Sequence, residues 1–296
     1  MRFPIWLLAI LPPLFWAGNM VFARALHTEI PPLALAFWRW LLALAVMLPF
    51  AAAPLRAQWR LALPHWPILT LLALLSISGY NTFVYLGLQD TTATNAALLT
   101  STMPVLILGF SFLLLRQGVT AWQGLGILLS LLGVLVIVTQ GNPSRFADLA
   151  FNRGDLWILV GALSWALYSV CLRWRPSGLD PLVLLTILIA IGLVPLFPLY
   201  LWDLAQGHRF ALNPVNLSAI GYVAVFPSVV AYMVWNLAVA RMGPNRTGQF
   251  IHLIPVFGAL LAMLLLGERL ALFHGIGIAL IVLGIWFVTL FRADAR

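Results

Sequence analysis

The stretch FWAGNMVFAR, residues 15–24, returns 149 residues later as SWALYSVCLR, residues 164–173. Trp16 falls on Trp165, Asn19 on Tyr168 and Arg24 on Arg173. At the same spacing PLALAFW from Pro32 meets PLVLLTI from Pro181. Further on, PVLILGFSFLLLRQ from Pro104 meets PVFGALLAMLLLGE from Pro255, and GLGILLSLLGV from Gly124 meets GIGIALIVLGI from Gly275, now 151 apart. A two-residue insertion in between accounts for the change. The chain is two copies of one unit.

Composition says where that unit lives. The chain is 63% hydrophobic and only 8% charged, with a mean hydropathy of +1.03. A soluble domain carries about 25% charged residues. This chain has too little polar surface for water and belongs in a bilayer, as a multi-pass protein. The apolar runs are long and continuous, which is the pattern of helices and not of barrel strands. Ten runs reach the roughly 20 residues that a span needs. They cover residues 4–26, 31–53, 67–88, 92–115, 119–139, 154–174, 180–202, 215–240, 244–266 and 271–292. The first is expected to stay as an uncleaved anchor, because it has a partner in the second copy.

The expected architecture is all-α, with ten transmembrane helices. Residues 1–139 form one five-helix unit, 140–153 a polar linker and 154–296 the second unit. Five is odd, so each copy crosses the membrane in the opposite sense. Inverted repeats of this kind are typical of secondary carriers, with the site near the midplane between the copies. The net charge of +8 comes from sixteen basic residues, all Arg. Arg39 lies inside a span; on alternate sides of the ten spans the other fifteen divide ten against five, with Arg2, Arg56, Arg60, Arg116, Arg173, Arg175, Arg241, Arg246, Arg292 and Arg296 on the richer side. That bias places both termini in the cytoplasm. The charge is topological, and no nucleic-acid partner is expected. The lone Cys171 excludes an internal disulfide and a cysteine metal site, and no metal or cofactor is expected. No Walker motif points to direct use of ATP.

Polar residues inside the spans are the site candidates. Three repeat pairs exchange Asn for Tyr: Asn19 with Tyr168, Asn81 with Tyr232, and Tyr85 with Asn236. Thr94, Ser101, Gln249 and His252 lie on equivalent stripes of helices 4 and 9, and either line a substrate path or serve close helix packing. Pro104 and Pro255 close these stripes and are candidate pivots or sites of static curvature. Arg39, between Trp38 and Trp40, is the fixed charge deepest in a span. It either grips a substrate carboxylate with its planar fork, caps backbone carbonyls or snorkels outward. Trp16 and Trp165 stand one turn from Asn19 and Tyr168, as flat walls for an amphipathic ligand or as packing. No carboxylate is expected mid-span, so His252 is the central group able to titrate. Helices 5 and 10, with their glycines, are expected outside the site, as a possible homo-oligomer contact.

These residues carry a resemblance. FWAGNMVFAR, the FWRW arginine, YLGLQDTTATNAALLTSTMPV and LLLGERL are similar to motifs of the drug/metabolite transporter superfamily, in particular its EamA-type ten-helix carriers. The first copy has Gln117 where the second has Glu268, which makes that acid a structural element. Within the superfamily the chain is similar to bacterial aromatic amino acid exporters. The resemblance implies export of aromatic and other neutral amino acids across the bacterial inner membrane, through a central cavity lined by the Asn, Tyr and Trp above. The alternative inside the superfamily is a nucleotide-sugar or drug carrier. The alternative outside it is an intramembrane enzyme using Ser101 and His252, against which stands the absence of an orienting carboxylate or a hydrolase motif.

Overall fold

The computed structural model describes residues 4–146, 152–266 and 271–290. The side chain of Thr94 and all of Glu268 lie outside the described residues. Every regular element among them is helical. The first part of the chain holds α1 (Ile5–Leu8), α2 (Leu11–Ala25), α3 (Pro32–Ala62), α4 (Trp66–Ala73), a π-helical segment (Leu74–Tyr80), α5 (Asn81–Asp90), α6 (Ala93–Thr100), α7 (Met103–Leu115) and α8 (Ala121–Val138). The second holds α9 (Arg153–Cys171), α10 (Pro181–Ala205), α11 (Pro214–Val223), another π-helical segment (Ala224–Val230), α12 (Ala231–Met242), α13 (Pro244–Gly248), α14 (Leu253–Leu266) and α15 (Leu272–Leu290).

Local chemistry sets the helix starts. Proline stands in the first turn of α3, α10, α11 and α13, where its missing N–H costs nothing. Side chains of Thr92, Thr120, Asn152, Asp180 and Asn213 cap α6, α8, α9, α10 and α11. Thr120 with Gln123, and Asn152 with Asp155, form reciprocal capping boxes.

Eight helical stretches among the described residues are long and apolar enough to cross a membrane. Two features separate this from the ten expected runs. Residues Pro32–Asp90 form one helical stretch of 59 residues. Straight, it would be about 90 Å long, roughly three hydrocarbon cores. It is not straight: Arg39 near its start bonds Asn81 near its end at 2.7 Å. The chain doubles back through the 3-10 turn Leu63–His65, so the reversal is itself helical and leaves no loop between the two passes. The second feature is residues 244–266. There the chain breaks into α13, a 3-10 turn (Gln249–His252) and α14, and no single long helix forms.

The same break recurs before Pro104, between α6 and α7. Both prolines therefore begin a new helix instead of bending a continuous one. Ser101 before the break is buried while Val105, one turn on, is exposed.

The packing repeats as the sequence does. α5 and α7 lie on α9, and α12 and α14 lie on α2. α3 lies on α10, and α8 on α15. The last pair meets through its glycines. A Cβ on Gly126 would stand 2.5 Å from the Gly284 carbonyl, and one on Gly133 would stand 2.6 Å from that of Gly277. Rising numbers in α8 thus face falling numbers in α15, and the helices are antiparallel. Their glycine faces are spent on each other within the chain. Phe50, Leu113, Leu128, Val194 and Leu264 point outward, an apolar exterior suited to lipid.

Candidate functional site

The buried centre is polar and aromatic. Trp16, Asn19, Arg39, Asn81, Tyr85, Trp165, Tyr168, Tyr232 and Asn236, brought by α2, α3, α5, α9 and α12, are all buried there. Trp16 and Trp165 meet edge to face with centroids 4.9 Å apart. Tyr232 stands edge-on to Trp165 at 5.2 Å and to Trp40 at 5.0 Å. Trp235 completes the wall and donates Nε1–H to Ser169 Oγ at 3.2 Å.

The hydrogen bonds obey the repeat. Tyr85 Oη donates to Asn19 Oδ1 at 2.9 Å, and Tyr168 Oη donates to Asn236 Oδ1 at 2.6 Å. Asn19 and Tyr168 are repeat partners, as are Tyr85 and Asn236, so the two bonds are copies with the roles of Tyr and Asn exchanged. Asn81 Nδ2 donates to Tyr232 Oη at 2.9 Å, joining a repeat pair directly. The π segments add a third correspondence. They begin 150 residues apart, at Leu74 and Ala224, and a wider turn leaves carbonyls free of the usual ladder. Tyr232 Oη donates to the Ser76 carbonyl at 3.1 Å, and Trp16 Nε1 donates to that of Pro227 at 3.1 Å. Ser76 and Pro227 are 151 apart, and each serves a ring from the other half.

Arg39 is fully buried in this cluster. It donates through Nη1 to Asn81 Oδ1 at 2.7 Å and to Tyr85 Oη, and through Nε and Nη2 to Ser228 Oγ at 2.9 and 2.7 Å. Its guanidinium carbon lies 4.8 Å from the Trp40 ring centroid. Three polar atoms in or beside the cluster have no partner: Trp40 Nε1, Thr82 Oγ1 and Asn236 Nδ2.

Ser101, Gln249 and His252 form a second group between α8 and the broken helices. His252 Nε2 lies 3.1 Å from the Ser101 carbonyl, and Nδ1 lies 2.8 Å from Ser130 Oγ. A carbonyl only accepts, so Nε2 carries a proton. Ser130 Oγ is also 3.4 Å from Gln249 Oε1, and Gln249 Nε2 is unpartnered. Ser101 and His252 do meet across the repeat, but through the serine's backbone. Its hydroxyl donates to the Ala97 carbonyl at 2.6 Å, so Ser101 is not paired with His252 as nucleophile with base. Beside Ser101 a small cavity of about 10 Å³ is lined by Ala97, Thr100, Ser101, Ile251, Ile254 and Pro255.

The sequence reading missed Ser76, Ser130, Ser228 and Asp155. Ser130 belongs to a helix judged free of chemistry, where it is the lone hydroxyl on an apolar run. Asp155, expected at a span end, is buried there. It accepts from Asn95 Nδ2 at 3.2 and 3.3 Å, from Thr91 Oγ1 and from the Asn152 N–H at 2.9 Å. It ties the start of the second half to the α5–α6 joint of the first. Among the described residues no three His, Cys, Asp or Glu side chains converge as a metal site.

The EamA-like transporter family matches residues 4–139 and again residues 152–290. The chain belongs to the EamA-like transporter family. An uncharacterized transporter of Bacillus subtilis, YyaM, is 32% identical over 86% of this chain and 83% of its own length. An uncharacterized transporter of Archaeoglobus fulgidus is 30% identical over 96% of both chains. A WAT1-related chloroplastic protein of Arabidopsis thaliana is 23% identical over 96% of this chain and 69% of its own. A crystal structure covering 98% of both chains superposes with a TM-score of 0.77 at 22% identity, which shows a shared fold. The buried cluster therefore lies at the centre of a transporter, where two matches to one family meet.

Proposed function

We propose that this EamA-family transporter is a secondary carrier exporting small amphipathic metabolites, aromatic and other neutral amino acids foremost, across a bacterial inner membrane. It has ten spans in two inverted halves, residues 1–139 and 154–296, joined by the linker 140–153, with both termini cytoplasmic. The doubled-back stretch counts as two spans and residues 244–266 as one broken span. Substrate passes between the halves by alternating access, and the described state is closed over the site.

The observation that carries this reading is the exchanged pair of Tyr–Asn bonds. Polar residues buried in a membrane protein are costly and mark pathways. Here they sit where the two halves meet, in copies, beside aromatic walls that suit a flat apolar side chain. The unpartnered Trp40 Nε1 and Asn236 Nδ2 are donors awaiting an acceptor. The antiparallel α8–α15 pair supports inversion. Broken helices beside the centre are a recurrent feature of carrier sites. Arg39, the one buried guanidinium among the described residues, is too little positive charge for a phosphorylated sugar nucleotide.

The test is flux into proteoliposomes of labelled tryptophan, phenylalanine, threonine and a nucleotide sugar, with and without an imposed proton gradient. Saturable amino acid flux supports the reading, and a response to the gradient makes His252 the first residue to substitute as the proton site. Flux of the nucleotide sugar alone sinks the amino acid assignment.

A further inference from the structure

Among the described residues the buried cation Arg39 has no counter-anion. Of the carboxylates among the described residues, Glu29, Asp90 and Asp180 are exposed, Asp203 pairs with His208 at 2.7 Å, and Asp155 is held by Thr91, Asn95 and Asn152. None reaches Arg39. Burying a charge with neutral partners alone is costly, and such a charge is retained where it has work to do.

The shape of its contacts says what work. Nε–H and the neighbouring Nη2–H form the edge of guanidinium that grips a carboxylate through two parallel bonds. In this closed state both of those N–H groups converge on one neutral oxygen, Ser228 Oγ. Ser228 gives its own proton to the Val223 carbonyl at 2.7 Å, five residues back in the wider turn of the π segment. Its lone pairs are thereby left for Arg39. The other terminal nitrogen, Nη1, is pinned by Asn81 and Tyr85, which fixes the plane of the fork. The repeat does not copy this arrangement: the position equivalent to Arg39 is Leu188, also buried. The cluster thus has one cationic end, and the aromatic rings lie beyond it.

We infer that the Nε/Nη2 edge of Arg39 is the carboxylate subsite of the carrier, and that Ser228 Oγ is an internal stand-in which the substrate's carboxylate displaces. This rests on the amino acid reading above and sharpens it: the ligand is an anion-headed aromatic, and its amino group is not the primary handle. Removing the stand-in frees the fork in the resting state, so Ser228→Ala binds carboxylate ligands more tightly than the native protein.

The experiment is calorimetric titration of the purified full chain in detergent with L-tryptophan, indole-3-propionate, which keeps the carboxylate, and tryptamine, which lacks it. Tryptophan and indole-3-propionate bind, tryptamine binds at least about tenfold more weakly, and Ser228→Ala tightens only the two carboxylates, by several-fold, on the scale of charged hydrogen bonds. Arg39→Gln abolishes the preference for the carboxylate. The native protein tests the inference even where that variant fails to fold. Tryptamine binding as tightly as tryptophan overturns the subsite and leaves the carrier reading standing. So does a Ser228→Ala variant that weakens all three ligands alike. Silence from all three overturns the subsite, and the amino acid reading falls with it only where tryptophan flux into proteoliposomes is also absent.

Discussion

At the residue scale, Tyr85 and Tyr168 each hold the side-chain oxygen of a buried asparagine. Tyr85→Phe leaves Asn19 Oδ1 without this donor, a loss of about 1–3 kcal/mol for a buried group. The measurement is thermal unfolding in detergent. Adding Asn19→Leu removes the stranded oxygen as well and is expected to recover part of the stability, the rest staying lost because Arg39 Nη1 has also lost its acceptor on Tyr85. Transport is expected to stay impaired in the double variant. Recovery of both would make the pair mere packing. The Asn/Tyr exchange was legible in the sequence because a repeat exposes paired positions that single residues conceal. Ser228 and Ser130 were not, since a serine in an apolar helix usually bonds its own backbone. What distinguishes these two is a partner from another helix, Arg39 or His252, and that partner is set by packing.

At the element scale, the glycines of helices 5 and 10, expected at a homo-oligomer contact, include four that pack α8 against α15 within the chain: Gly126, Gly133, Gly277 and Gly284. Gly126→Leu drives a side chain into the Gly284 backbone, which cannot yield as a flexible side chain would. The expected cost is about 1–3 kcal/mol of overpacking or a failure of the two helices to close, read as a lower melting temperature. Gly124→Leu, where nothing lies within 4 Å, is expected to be far milder. Asp155→Ala removes a capping-box partner and strands donors on Asn95 and Thr91, an expected loss of about 2 kcal/mol. Asp155→Asn keeps acceptor capacity and is expected to cost less. The π segments were invisible from sequence. They have the composition of the helices around them, and only the proline at 227 marks that a carbonyl there is released. The breaks at residues 101–102 and 249–252 were half legible: the prolines pointed to them, but either a pivot or static curvature within one helix was expected where two helices meet end to end.

At the scale of the whole molecule, the membrane class, the helical fold and the family follow from composition and repeated motifs. The turn inside Pro32–Asp90 is continuous in helix, so the membrane-length helical stretches among the described residues are fewer than the apolar runs in the sequence. Topology is open to direct test. In a Cys171→Ala background, Gly118→Cys is expected to react with an impermeant maleimide only from the cytoplasmic side, and Asn142→Cys only from the opposite side. Labelling of both from one side would contradict the inverted arrangement. The central claim is that one buried site between the halves is reached alternately from each side. Counterflow tests it most directly. Proteoliposomes loaded with unlabelled tryptophan are predicted to accumulate labelled tryptophan transiently above equilibrium, with a saturable rate. Influx that is linear in concentration and indifferent to the internal load would contradict the account, because a pore gives that result and a carrier does not.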